Sequence, residues 1–385
     1  MLPETDLLIL GGGCAGLSLA MRLAKLSGGG PSTAVIEQRP HYHNDRTWCS
    51  WDDGSPGGRS LVRHRWEAVS VAGGERRVHV DCRSMPYQMI PADAFYEAAT
   101  TAIAESSGIE LSLGETLASE PRMEHGLWHL ETSRGTRRAR TVVDTRPARL
   151  PARGDAVLWQ SFFGREIECE VACFNPLSAD LMHFWPSHGG RILFLYLLPL
   201  SPHRALIEAT VFAPEPLGPA DLAPDLAAMI QRHVAGARHT VLRTEDGALP
   251  MGQKNSEPGD DPTWVKAGVA GGAGRAASGF AFQRIQRWAD ACAAAIAAGG
   301  PPLPHPPDPW LLRFMDGLFL RVLRNRPEIA PDLFLALFAM RDPRRIIRFM
   351  SDRATLRDFA EIAWALPSWP FLTELGKGLV PRRRR

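Results

Sequence analysis

The sequence predicts an α/β fold of the Rossmann-like, two-dinucleotide-binding type, with a β-rich middle and a helical C-terminal part. Three observations predict it. The first is a strand, glycine turn, helix and strand at the N-terminus, beginning Asp6-Leu-Leu-Ile-Leu10 and Gly11-Gly-Gly-Cys-Ala-Gly16. The second is a late glycine cluster, Val265 to Gly279, with a helix opening after it. The third is the order of patterns around them: period-two apolar runs through the middle, then helical periodicity over 309–375.

The N-terminal unit is specified residue by residue. The apolar run ends in Gly11, Gly13 and Gly16, and an amphipathic stretch follows with Leu19, Leu23 and Leu26 near helical spacing. After the turn at Gly28–Pro31 a second run, Thr33-Ala-Val-Ile36, ends at Glu37, twenty-one residues beyond Gly16. Gly11 permits the tight turn, Gly13 lets the backbone approach a pyrophosphate, and Gly16 lets helix and strand pack closely, with Gly12 and Ala15 completing the turn. The free N–H groups and positive dipole of the helix then face the phosphates, and Glu37 accepts from ribose hydroxyls. A lone glycine motif is weak, but here strand, helix and acid all stand at the right distances. Its place at the N-terminus favours FAD over NAD.

Further along, Val69 to Val80 predicts a β-hairpin, 92–106 a helix, and Trp128–Thr132 and Thr141–Asp144 strands. The segments 191–200 and 205–212 are strands joined by the turn Ser201-Pro-His-Arg204. Helices are expected over 221–236 and 283–298, with a proline-rich linker at 299–307. In the late cluster the helix opens after Gly268, Val269, Ala276, Ser278 and Gly279, and its dipole would favour an anionic reduced flavin. These patterns divide the chain into 1–150 (FAD-binding), 151–255 (β-rich, substrate), 256–300 (a returning FAD-binding segment) and 301–385 (helical and basic).

Composition narrows the function. The 385 residues are 45% hydrophobic, enough for a sizeable core, and the net charge of +2 argues against a general nucleic-acid binder. Residues 310–385 carry 15 basic and 8 acidic side chains, a local excess ending in four arginines. Six scattered cysteines form no disulfide framework, and the pair Cys169 and Cys173 lacks histidines at ligand spacing, so no metal is expected. There is no signal-peptide pattern and no run of 18 apolar residues, which leads us to expect a cytoplasmic protein.

Several segments carry a resemblance. Asn44-Asp-Arg-Thr-Trp-Cys-Ser-Trp51, Pro86-Tyr-Gln-Met-Ile90, Val143-Asp-Thr-Arg-Pro147, Phe194 to Thr210, Glu245-Asp-Gly-Ala-Leu-Pro250, Gly268 to Gly279 and Leu366-Pro-Ser-Trp-Pro-Phe371 run in order over nearly the whole chain. On these the sequence resembles the lycopene cyclase family, in particular bacterial lycopene β-cyclases related to plant cyclases. The resemblance implies an FAD flavoprotein without net redox change: reduced FAD is required, and NADPH or NADH serves only to reduce it. It implies cofactor contacts at Arg46, Thr47 and Trp48 beside the glycine loops. It implies lycopene, or a similar long polyene, as substrate.

Ring closure begins when an acid protonates the terminal double bond of a ψ end group. The next double bond attacks the tertiary cation, and loss of a ring proton gives the β-ionone ring. Glu208 matches the family's important glutamate in Leu/Ile-Glu-x-Thr and is the implied proton-transfer residue. On a strand it shares a face with Leu206, Thr210 and Phe212, where an apolar pocket would raise its pKa. Trp48, Trp51, Trp159, Phe162, Phe163 and Phe174 are candidates to line the polyene channel. The chain departs from the family pattern at His183 and Trp185, where an acid and an arginine are usual, and at Ala209, where a second acid is usual. These departures keep a different polyene or a prenylated substrate as an alternative. An FAD-dependent monooxygenase or other oxidoreductase of the same fold is a second, and a non-catalytic carotenoid-binding protein a third.

The helical end interleaves Leu311, Leu312, Phe314, Leu318, Phe319, Leu333, Phe334, Leu337 and Phe338 with Arg313, Arg321, Arg324, Arg326, Arg344, Arg345 and Arg348. A C40 hydrocarbon must be drawn from a bilayer, and basic amphipathic helices in the headgroup layer would allow that. Peripheral contact with the cytoplasmic face of a membrane is therefore expected.

Overall fold

In a computed structural model, residues 4–26, 29–52, 54, 58–147, 156–187, 189–253 and 261–379 are described. The four terminal arginines lie outside them, as do the junctions at 150 and 255 between the expected segments. The expected elements are present, with helix and strand ends within a few residues of those read from the pattern.

The first sheet has a parallel half in the order β8 (Ile109–Leu113), β2 (Thr33–Glu37), β1 (Glu4–Leu10) and β11 (Gly135–Asp144). Antiparallel β10 (Leu127–Thr132) and β9 (Arg122–Glu124) extend it beyond β11, and β17 (Trp264–Lys266) also pairs with β11 in parallel. The strand alternation sends Leu7, Ile9, Val35 and Val143 against α1 (Cys14–Leu23), α2 (Ala92–Ala104) and α4 (Phe282–Ala297). Leu8, Leu10, Ala34 and Ile36 pack on the other side with Leu130 and Ala139. Both faces of the parallel strands are thus covered, which is why they read as continuous apolar runs.

The second sheet runs β16 (His239–Met251), β12 (Leu158–Cys169), β15 (Arg204–Ala213), β14 (Ile192–Pro199), β13 (Ser178–Trp185), β5 (Ala68–Gly73) and β6 (Arg76–Asp81). Residues 1–150 are therefore not one structural unit. The hairpin β5–β6 leaves them to complete the edge of this sheet, because Val69, Val71 and Val80 find their burial in its core. One face packs on α3 (Pro219–Val234); the other faces a cavity roofed by C-terminal helices. A small third sheet, β3 (Thr47–Trp51), β7 (Tyr87–Pro91) and β4 (His64–Trp66), bridges the two larger ones.

The C-terminal part forms α5 (Trp310–Asn325), α6 (Ala330–Phe338), α7 (Pro343–Met350), α8 (Leu356–Ala365) and α9 (Ser368–Leu379). The arginines of α7 do not form the expected open basic face. Arg344 pairs with Asp342, Arg345 with Asp358 and Glu361, and Arg348 with Asp358. Asp358 is fully buried, so Arg345 and Arg348 supply the counter-charge it requires. The proline-rich segment after α4 is also docked, through Trp288 Nε1 donating to the Leu303 carbonyl at 2.7 Å and Arg284 bonding Asp308. Among the described residues no helix is long and apolar enough to cross a membrane.

Candidate active site

The glycine turn does what its spacing predicts. Gly11 adopts a φ of +96°, and a Cβ on Gly16 would fall 2.0 Å from the Gly11 carbonyl, so a side chain at either position would break the turn. A Cβ on Gly13 would meet nothing within 4 Å, leaving room for a ligand at the N-terminus of α1. Gly12 is enclosed by Tyr42 and Glu37, and its N–H donates to Glu37 Oε2 at 2.7 Å. Burial pushes the Glu37 carboxyl up, but Arg39 and the Gly12 N–H outweigh it and hold the group below its usual range. Glu37 is thus an ionised acceptor at the edge of the cavity.

The late glycine loop meets the first. Gly268, with φ +71°, would place a Cβ 3.2 Å from that of Ala15 and 3.5 Å from the Thr145 carbonyl. Val269, Ser278 and Gly279 line the same cavity, whereas Ala276 packs toward the C-terminal helices. Arg46, Thr47 and Trp48 lie on the opposing wall at the start of β3, with Trp48 wedged against Phe95 and Phe282 at ring separations of 5.1 and 5.7 Å. Two residues not foreseen complete this end: Arg146, beside the glycine turn and paired with Asp144, and Arg39, bonded to Glu37, Tyr96 and the Gly12 carbonyl. An open Gly13, a helix N-terminus, an acceptor at Glu37 and neighbouring guanidinium groups are a donor and acceptor set that fits a dinucleotide.

The cavity, about 1200 Å³, continues from the glycine loops to the second sheet and out between the C-terminal helices. Glu208 stands in its wall with Thr210 and Phe212, on the face the two-residue alternation assigns. It is 6% exposed. Burial, then the neighbouring Glu245 carboxylate, push its pKa well above the usual carboxylate range, against a smaller opposing pull from Arg243. Space for it comes from Gly164, its partner across β12, where a Cβ would lie 2.6 Å from Glu208 Cγ.

Glu245 is held differently. Its Oε2 accepts from Thr47 Oγ1 at 2.8 Å and from Arg243, whose guanidinium also bonds Glu166 and Thr47. Two buried carboxyls therefore sit together, and the one without Arg243 and Thr47 as bonding partners, Glu208, is the one whose pKa is raised. Opposite Glu208 on β14, Tyr196 shares a 2.8 Å hydroxyl contact with Tyr87, and burial raises the pKa of both phenols. Burial also pushes the nearby Cys49 thiol up to about 12.

Of the candidate channel aromatics, Trp48, Trp159 and Phe162 line the cavity. Trp51 packs on Tyr87, Phe163 faces α3 because it follows cavity-lining Phe162 on the strand, and Phe174 joins the same α3-side core. The wall is instead completed by Phe194, Phe319, Phe334 and Phe338. Ala209 and Trp185 belong to the α3 side, and His183 lies against His233 of that helix, so none of the three departures from the family pattern lines the cavity.

A sequence model of the lycopene cyclase protein family matches residues 6–375. The chain belongs to the lycopene cyclase family. A lycopene beta-cyclase of Pseudescherichia vulneris is 26% identical over 384 residues, spanning 95% of both chains. One from Pantoea ananas is 26% identical over 264 residues, 65% of this chain and 63% of that protein. The fold of this lycopene cyclase family member is shared with flavoproteins. A geranylgeranyl bacteriochlorophyll reductase-like protein of Thermoplasma acidophilum superposes with a TM-score of 0.61 at 13% identity, covering 98% of this chain and all of that one. A p-nitrophenol 4-monooxygenase of Pseudomonas putida gives 0.60 at 14% over the whole of both chains. A flavin-dependent brominase gives 0.61 at 15%, over 98% of this chain and all of its own.

Proposed function

We propose that this protein is a lycopene β-cyclase, converting the ψ end groups of lycopene to β-ionone rings through γ-carotene to β-carotene. The observation that carries the reading is Glu208, a carboxyl kept protonated in the wall of a long apolar cavity. It donates its proton to the terminal double bond of the polyene end, the neighbouring double bond closes the ring, and Glu208 takes back the ring proton that is lost. Protons and electrons balance without an oxidant. Phe162, Phe194, Phe212 and Trp159 exclude water from the cation and face it with their π clouds. Arg243 and Thr47 hold the Glu245 carboxyl in place beside the site.

FAD is the cofactor we assign to the glycine loops, held by Gly11, Gly13, Ala15, Glu37, Gly268, Val269, Ser278 and Gly279. In its reduced, anionic form, generated by NADPH or NADH, it would supply negative potential to the carbocation without net electron transfer. The cavity mouth supports membrane contact. Trp310, Leu356, Trp364 and Trp369 are 71%, 80%, 91% and 71% exposed on the helices around it. Indole rings favour the water–lipid boundary, so this rim would dip into a bilayer and admit a hydrocarbon directly.

The test is expression in a bacterium that accumulates lycopene, with the pigments separated by chromatography. Accumulation of β-carotene is the expected result. Unchanged lycopene beside folded, flavin-loaded protein would overturn the reading. Turnover coupled to NADPH and oxygen consumption would replace it with an oxidoreductase.

A further inference from the structure

Three side chains that the cavity does not use converge on the α3 face of the second sheet. Asp180 and His183 come from β13 and His233 from the last turn of α3, and one donor atom of each lies within 4.8 Å of the others. In a regular strand, residues three apart point to opposite faces. The register shift between Asp180 and His183 is what turns both to one side.

The donors are prepared individually. His233 Nδ1 sits 3.0 Å from the Met229 carbonyl, a bond that places the proton on Nδ1 and the lone pair on Nε2. Asp180 is fixed through Oδ1 by the Ser70 hydroxyl at 2.5 Å and Arg77 at 2.9 Å, leaving its second oxygen to face a cation. His183 Nδ1 is buried and has no hydrogen-bond partner, a costly condition that a ligand on the imidazole would help explain. The C-terminal end of α3 adds the negative pole of its dipole.

We propose that Asp180, His183 and His233 form a binding site for a divalent transition-metal ion of the zinc class, fastening the end of α3 to β13. Two imidazoles and a carboxylate are a donor set suited to Zn²⁺, with a fourth position left to water. Arg77 is engaged by Asp180, and Arg232 lies over the Trp185 ring at 5.1 Å. Their charges make the site weaker than a closed four-ligand zinc centre.

The protein, stripped with a chelator, is titrated with Zn²⁺ by calorimetry and with Co²⁺ by visible absorption. One ion per chain is expected, with a Co²⁺ spectrum free of thiolate charge transfer, which separates this site from Cys169 and Cys173. His183→Ala and His233→Ala should each weaken binding by roughly tenfold or more. At the same free Zn²⁺, the melting temperature should rise further for the wild type than for either variant. Failure of the wild type to bind one ion, a thiolate-type Co²⁺ spectrum, or unchanged affinity in the double variant would each overturn the proposal. Should a variant not fold, the wild-type Co²⁺ spectrum decides alone.

Discussion

Burial and the neighbouring Glu245 carboxyl push the Glu208 pKa well above the usual carboxylate range, while Arg243 and Thr47 bond Glu245. The two carboxyls look alike in sequence and diverge only through these neighbours. Glu208→Gln should lower cyclisation by about 10²–10⁴-fold, measured as pigment formed per folded protein. The same variant makes a stability prediction. A raised folded pKa means the native state holds a proton that the unfolded chain releases above about 4.5, so stability falls as pH rises from there toward the folded value. The slope from this one group is about 1.4 kcal/mol per pH unit, and Glu208→Gln should flatten it in denaturant titrations. Glu208 was legible through its motif. The part played by Glu245 was not, because Thr47, Glu166 and Arg243 come from three separate strands and no local spacing announces them.

The loop from Gly268 to Gly279 is held as an element by two anchors. At one end the Gly268 N–H donates to His305 Nε2 at 3.0 Å, from a segment the sequence presents only as a linker. Burial lowers the His305 pKa to about 4, against an ordinary 6.5. Its contribution to stability is present above pH 6.5 and lost as pH falls toward 4, up to about 3 kcal/mol. His305→Asn should remove that pH dependence while leaving stability at pH 8 less affected, as read by urea unfolding at both pH values. At the other end Arg275, 1% exposed, forms a two-pronged pair with Asp316 of α5 at 3.0 Å and lies over the Phe349 ring. Asp316→Ala leaves that guanidinium buried without its carboxylate, and should cost about 3–5 kcal/mol in urea unfolding. The glycines foretold the loop's path. Its attachments were hidden, because a buried arginine pair has no periodicity to betray it.

At the scale of the whole molecule, the chain joins a dinucleotide-type sheet to a second sheet that walls the cavity and roofs the space between them with helices. The order of those parts was readable from the alternation of apolar residues. The departure of β5 and β6 to the second sheet was not, since a hairpin's pattern states that one face is buried but not against which partner. The exposed tryptophans belong to this scale too, because they acquire meaning only around a mouth. Trp364→Ala with Trp369→Ala should reduce co-sedimentation with lipid vesicles several-fold and slow conversion of membrane-borne lycopene. Turnover of detergent-dispersed lycopene should change less, and equal loss in both assays would count against a docking rim.

The late strand β17 adds a consequence in time. On the side away from β1, Val142, Val143 and Asp144 find their parallel partners at Trp264, Val265 and Lys266. A nascent chain that has already made both glycine-turn strands must therefore wait, with one edge of β11 unpaired, until more than a hundred further residues have emerged from the ribosome. Truncation before that strand should yield an aggregation-prone fragment rather than a free-standing nucleotide-binding domain.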